Sequence, residues 1–569
     1  MTSTGSIMRL LHTVRYLRAR QVVGQVRNRL RCLVEQPAVR TTRPIPEPEE
    51  CRWRPRRKFL PPGTQENSAE QILEGKLVFL NNVQKVGWPP EFNADGQPKL
   101  WQYNLHYFEY LWALEFGQAK AAVLNWIEGH PLRKGTVGWD PYPTSLRLVN
   151  WCCVFFGKFK RQTETDRQFR NTLWPSIFLQ AQWLCRHLET HLLGNHLFEN
   201  GAALLMLGCC FDGASARRWY RRGMNVLAEE IPEQILADGG HFERSPMYHS
   251  RVLYLLLLLE SIGDRKVDKL VRPSIIGMRE ALSDMLHPDG RIALLNDSAL
   301  GIYNEPRQLI DRADGLLGEP ASEGPASEPT CLPKIGPFAL PDTGYYGIRT
   351  KQGHYAICDA GPIGPDYIPG HAHGDVFSFE LSLGGHRVIV DSGVYDYHPG
   401  EMRRYCRSTG AHNTVEVEGR DQSEFWGAFR VARRGRVRDV VWQPAENGFR
   451  LAAWHDGYRR LPGAARHRRE FVWHDAQRLE VNDRITADCE VAAVARLHLH
   501  PCCRVAEVSR NSVQITYPAG GFAVRFRGEG VLTCEQSLYC PEFGKKINNT
   551  ALAFSIRGSD VGTGFRIEW

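Results

Sequence analysis

The chain has 569 residues, 43% hydrophobic and 24% charged, with a net charge of +8 and a pI near 8.7. That length exceeds one ordinary core and predicts two or three domains of a globular protein. The longest apolar run, Val252 to Leu259, is far too short to span a bilayer. The mild basic excess suits an acidic partner, but it lacks the basic patches interleaved with aromatics that nucleic acid requires.

In chain order, Met1 to Ala38 is arginine-rich and has no continuous apolar stretch of the kind a standard secretory signal carries. Leu10, Val14, Leu17, Val22, Val26 and Leu30 approximate helical spacing, which predicts a basic amphipathic helix that packs on the body or touches an anionic surface. Gln36 to Gly63 is rich in Pro and Arg and reads as an extended connector. From Leu100 to Leu317 the character is helical, with candidate helices at Leu105 to Ala119, Phe178 to Leu193, Ala202 to Cys210, Ser215 to Ile231 and Arg251 to Ile262. Serial helical hairpins of this kind suit an α/α toroid or a solenoid. Ala321 to Pro333 is a Pro/Ser/Glu-rich linker, and alternating strand patterns follow to Trp569, with hairpin signals at Gly384-Gly385 and Gly520-Gly521. The fifteen cysteines are scattered and form no C-x-x-C pattern, which argues against a disulfide scaffold and for a reducing compartment.

Four motifs in the helical part place polar groups beside Gly and Pro. They are Trp139 to Trp151 (with Tyr142 and Arg147), Gly194-Asn195-His196 with Glu199 and Asn200, Asp238 to His249 (with His241, Glu243 and Tyr248), and Pro288 to Asp297. Each alone is weak: Asn195 suits a helix cap, Tyr248 a packed core and Arg147 an ion pair. The densest chemistry lies in Gly361 to Thr414. His371 and His373 follow a Pro-Gly turn and lead into a strand with Phe377, Phe379, Leu381 and Leu383 on one face and Ser378, Glu380 and Ser382 on the other. After Gly384-Gly385 the return strand ends in Asp391, and His412 precedes Asn-Thr and another alternating run at Val415 and Val417. An ideal hairpin sets Asp391 opposite Ser378. His373, Asp391 and His412 are by type either zinc ligands or hydrogen-bonded structural groups.

HAHGDVFSFEL, VIVDSGVY and RSTGAHNTV resemble the C-terminal β-domain of the heparinase II/III-like polysaccharide lyases, which include heparin-sulfate lyases and related alginate lyases. The four helical motifs resemble the N-terminal domain of the same family, in the same order. The resemblance implies an α+β multidomain chain. A basic segment and connector at 1–95 lead to an α/α toroid (an incomplete barrel) at 96–320, a linker at 321–334 and an antiparallel β-sandwich at 335–569. It further implies β-elimination on a uronic-acid-containing polysaccharide, with Asn195, Tyr248 and His371 catalytic. Tyr142, Arg147, His196, Glu243, Tyr397 and Tyr405 then become substrate-binding candidates, and His373, Asp391 and His412 hold a structural zinc, with no organic cofactor. For the compartment, the family points to the periplasm or outside the cell, whereas the free cysteines point to the cytoplasm.

The chemistry explains these residue types. The C5 proton lies α to a carboxylate, so its removal builds charge that neutral or cationic donors such as Asn195, His196 or Arg147 must offset. A base must face C5 and an acid must reach the departing C4 oxygen, and Tyr248 and His371 are the pair for that work. Two other classes remain open: an α/α-barrel glycoside hydrolase using Asp238 and Glu243, or Asp297, as its carboxylates, and a non-catalytic glycan-binding protein of polysaccharide assembly. The sequence is silent on oligomeric state.

Overall fold

The computed structural model describes residues 3–34, 53, 55, 57–63, 66–133, 135–317, 334–475 and 477–569. Most of the expected connector and all of 321–333 therefore lie outside the described residues. The chain divides into two compact units, one of residues 18–234 and 251–276, the other of 1–17, 235–250 and 277–569.

The first unit is built largely of helices, as the toroid expectation requires. They include Lys99–Tyr107, Phe116–Gly129, Pro141–Trp151, Arg167–Arg186, Gly194–Cys210 and Gly213–Gln234. The single helix expected over Leu105 to Ala119 is instead broken at Phe108, whose φ of +64° is a left-handed value that no helix continues through. The helix expected at Phe178 begins earlier, where Asp166 accepts a hydrogen bond from Phe169 N at 3.0 Å and caps it. It runs through Pro175 and ends at Arg186. Gly194–Cys210 and Gly213–Gln234 pack backbone to backbone. A Cβ on Gly208 would sit 2.4 Å from Tyr220 N, and one on Gly223 2.4 Å from Leu205 N. Only glycine permits that approach.

Trp101, Trp126, Trp151, Trp174 and Trp219 are fully buried in this unit. Arg147 lies among three of the unit's tryptophans. Its guanidinium stacks 4.0 Å from the Trp126 ring, and Nε donates to Gln180 Oε1 at 2.8 Å. Its solvent exposure is 0%, so the substrate-binding assignment is corrected: Arg147 holds the core together and has no face to offer a ligand.

The second unit carries the sandwich. A five-stranded antiparallel meander runs Gly336–Leu340, Tyr345–Arg349, Tyr355–Asp359, Phe379–Leu383 and His386–Ile389. A ten-stranded sheet is organised on two long strands, Arg478–His498 and Lys545–Glu568, which pair along their length. Ile348, Phe379 and Leu381 of the first sheet share one apolar core with Phe471, Val481 and Phe565 of the second. The hairpin at Gly384-Gly385 forms as expected, with both glycines at positive φ between paired Leu383 and His386. At the other expected hairpin the loop is Pro518-Ala519, and Gly520 already pairs with Tyr517. Phe377 stands outside its expected strand at φ +67°.

The polar face of Phe379–Leu383 is buried rather than solvated. Glu380 accepts from His287 Nε2 at 2.9 Å, Asp391 N at 2.9 Å and Leu294 N at 3.0 Å. Period-two alternation separated the two faces correctly, but the second meets a polar interior layer in which every acceptor needs a donor.

Candidate functional site

The His-Ala-His loop is stitched to the turn at Asn296-Asp297. Asp297 N donates to His371 O at 3.1 Å, His373 N to Asn296 Oδ1 at 3.1 Å, and Asn296 N to Asp375 Oδ2 at 2.8 Å. Asn296 itself sits at φ +56°, a conformation asparagine tolerates better than most residues. The motif at Pro288 to Asp297 is thus the other half of the His-Ala-His motif, a pairing hidden in the sequence by about eighty intervening residues.

Asp297 is the hub, fully buried and accepting from three side chains. His371 Nδ1 lies 2.8 Å from Oδ2, His373 Nε2 2.8 Å from Oδ1, and Arg403 Nη2 2.8 Å from Oδ2, with Arg403 Nη1 also on Oδ1. Burial alone would push this carboxyl up. Arg403 and the two histidines outweigh it and hold the group well below the usual carboxylate range. An ionised Asp297 only accepts, so Nδ1 of His371 carries a proton toward it. Arg403 was not among the sequence candidates. Its signal is faint, since RRYCRSTG offers three arginines with no spacing cue to single one out.

Around His371 gather three of the candidates, Tyr248, Tyr397 and Glu243. The Tyr248 ring lies 4.1 Å from the imidazole, centroid to centroid, and the Tyr248 hydroxyl is 3.1 Å from that of Tyr397. Glu243 Oε2 is 3.6 Å from His371 Nε2, beyond a direct hydrogen bond. Tyr397 also stacks under Arg403 at 4.9 Å. His371 and Tyr397 are half-buried and Tyr248 is nearly covered. Tyr405 does not join them. Its hydroxyl meets Ser537 Oγ at 2.9 Å and donates to Leu538 O at 3.1 Å while accepting from Leu538 N, which ties it to that strand.

Next to this cluster lie His373, Asp391 and His412, all fully buried. Asp391 Oδ2 is 2.8 Å from His412 Nδ1, Ser378 Oγ donates to Asp391 at 3.2 Å, and the His373 and His412 ring centroids are 5.4 Å apart. Asp391 is therefore beside Ser378, where the hairpin argument puts it. His373 Nδ1, His412 Nε2 and Asp375 Oδ1 are buried with no hydrogen-bond partner. Burial pushes His373 down to about 3 and Asp375 up to about 6. Among the described residues, no group of three such side chains converges on one metal position.

The helical unit holds a second polar group. His196 Nδ1 is 3.0 Å from Glu189 Oε1, Asn200 Nδ2 donates to Glu189 Oε2 at 3.1 Å, and the Tyr142 ring lies 4.4 Å from that of His196. Glu199 pairs with Arg251 at 2.6 Å. Asn195 follows Leu193, whose φ of +65° and ψ of −155° are unusual for leucine, and opens the helix Gly194–Cys210. That helix has no side-chain cap, so Asn195 is not a capping residue and the simplest structural explanation for it fails. The strained leucine beside it is invisible to sequence patterning.

Residues 116–301 match the sequence model described as "Heparinase II/III N-terminus", and residues 333–569 match "Heparinase II/III-like, C-terminal". A heparin-sulfate lyase of Pedobacter heparinus is 26% identical over 307 residues, covering 50% of this chain and 44% of the relative. The chain spans about half the length of the curated lyases it matches. FtsZ-localized protein C of Caulobacter vibrioides is 26% identical over 570 residues, covering 92% of this chain and 90% of the relative. Among solved structures, a heparinase III superposes with a TM-score of 0.66 at 17% identity, covering 84% of this chain and 79% of that one. The fold is therefore a helical toroid followed by an antiparallel β-sandwich.

Proposed function

The chain belongs to the heparinase II/III-like family, and on that premise we propose that it is a polysaccharide lyase. It would cleave a uronic-acid-containing, acidic polysaccharide by β-elimination. The observation that carries this reading is the set Tyr248, His371 and Asp297: a phenol ring packed on an imidazole whose Nδ1 is held by a buried carboxylate. Such an imidazole has its tautomer fixed and presents Nε2 for proton transfer. His371 takes or relays the C5 proton, and Tyr248 passes a proton to the departing C4 oxygen. The C5–H electrons form the new C4–C5 double bond as the C4–O bond breaks. Asn195, with no capping duty, supplies the amide that offsets charge on the uronate carboxylate, and Tyr142 and His196 bind sugar.

A hydrolase fits less well. Asp297 has both oxygens engaged by cations and imidazoles, and Asp238 is occupied with Thr343 N at 2.7 Å, Thr343 Oγ1 at 2.9 Å and Gly240 N at 3.0 Å. Neither is placed to donate a proton. A panel of uronate polysaccharides followed in the near ultraviolet tests the assignment, because elimination creates an absorbing double bond and hydrolysis does not. New reducing ends without that absorbance would overturn it. On a polymer that is cleaved, Asn195→Ala is expected to lower turnover by roughly 100- to 1,000-fold, the usual effect of losing one donor to a developing oxyanion.

A zinc fits the donor chemistry of the buried imidazoles. His373 Nδ1 and His412 Nε2 would hold it, while Asp297 supports His373 and Asp391 supports His412 through the other nitrogen of each ring. The ion would hold the His371 loop and take no part in proton transfer. Metal analysis of the purified protein should find one equivalent of zinc, and both chelation and His412→Ala should lower the melting temperature. Metal-free protein with an unchanged melt under chelation would refute this.

A second reading follows from the relative matched nearly end to end, whose name places it with FtsZ. In that reading the chain shares that location and its lyase fold serves to bind glycan. A uronate panel silent throughout, with a fluorescent fusion gathering at the division plane, would favour it.

A further inference from the structure

The helices Ser3–Val14 and Ala19–Val34 rest on the protein the wrong way round. A surface helix ordinarily turns its apolar stripe to the core and its charges to water. In the first helix, Ile7, Leu10, Leu11 and Val14 recur at i, i+3, i+4 and i+7, and all face outward, with Leu11 58% exposed. The side that touches its unit is polar. Arg9 Nε donates to Glu424 at 2.9 Å, Thr13 Oγ1 accepts from Trp426 Nε1 at 3.0 Å, and just past the helix Arg434 stacks 3.8 Å from the Tyr16 ring. The second helix repeats the arrangement on the other unit. Gln21 and Gly24 are its buried positions, and a Cβ on Gly24 would come 3.1 Å from His191. Val22, Val23, Val26 and Leu30 point away, with Val23 64% exposed.

The charge says what covers these stripes. Residues 1–34 contain seven arginines and no aspartate, glutamate or lysine. Arg18 and Arg20 are tied to Glu233 and Glu230 of the helical unit, whereas Arg27 and Arg29 flank the second stripe and are exposed. An apolar stripe edged by arginine is what an interface of acyl chains and anionic headgroups accepts. A second copy of the same face would bring like charges together. Among the described residues, no helix is long and apolar enough to cross a membrane, so the segment lies on the surface rather than through it.

We propose that the apolar stripe of Ser3–Val14 and that of Ala19–Val34 each dock on an anionic lipid surface. The test is co-sedimentation of the full chain with phosphatidylglycerol-containing vesicles and with pure phosphatidylcholine vesicles. Pelleting with the anionic vesicles is expected to exceed that with neutral ones by about tenfold or more, and to fall as salt is raised. Leu10→Gln with Leu11→Gln, and separately Val23→Gln with Val26→Gln, should abolish most of the pelleting without altering the melting temperature, because these side chains are already in water. Arg27→Glu with Arg29→Glu should weaken binding to the anionic vesicles alone. Wild-type protein that stays in the supernatant, or glutamine variants that pellet like wild type, would overturn the proposal. So would a dimer that the glutamine variants dissolve, which would make the face a contact between copies.

Discussion

Asp297→Ala is expected to destabilise the sandwich unit by about 3–5 kcal/mol, the usual cost of removing one partner from a buried ion pair. The loss arises because Arg403, itself 1% exposed, is left charged and uncompensated in the interior. Two imidazoles lose their acceptor in the same step. Urea unfolding of the variant measures it. Arg403→Met added to Asp297→Ala should recover part of the loss, since an apolar side chain of similar length needs no partner there. The pH dependence has a definite sign. The native carboxyl is held below its ordinary value, so its contribution is fully present above the unfolded value of about 3.9 and disappears as pH falls through the native one. An Asp297→Ala protein as stable as wild type at neutral pH would show that the hub carries no such load.

Tyr248→Phe is expected to do the opposite: collapse turnover and spare the fold. Removing the hydroxyl deletes its hydrogen bond to Tyr397 at 3.1 Å, and such a bond is worth about 0.5–1.5 kcal/mol. If the hydroxyl is the proton donor to the leaving oxygen, turnover should drop by roughly 100- to 10,000-fold. Tyr397→Phe is the control, because it removes the same hydrogen bond and leaves the Tyr248 hydroxyl in place. It should retain most activity. A folded Tyr248→Phe protein with wild-type turnover would end this mechanism, and equal losses in the two variants would make the tyrosine pair, not Tyr248 alone, the donor.

The sequence was most legible where chemistry is local. The Gly384-Gly385 hairpin follows from two adjacent residues able to take positive φ, and it formed with Leu383 and His386 paired. Much of the His371 neighbourhood was reachable by motif. What stayed hidden depends on distant partners. Asp297 reads as a loop carboxylate until it is seen to bind both histidines and Arg403, all more than seventy residues away. Arg147 was misjudged for a related reason. Residue type says that a side chain can bind sugar, but only packing says whether its polar atoms are already spent. The helix break at Phe108 escaped because a left-handed phenylalanine leaves no compositional mark.

The anchoring of the first helix has a bearing on synthesis. Arg9 meets its partner Glu424 across a separation of 415 residues. At about 5–20 residues per second, that partner leaves the ribosome some 20–80 s after the helix does. For that interval Ser3–Val14 has neither Glu424 nor Trp426 to rest on. Glu424 and Trp426 therefore close onto a segment that was made long before them.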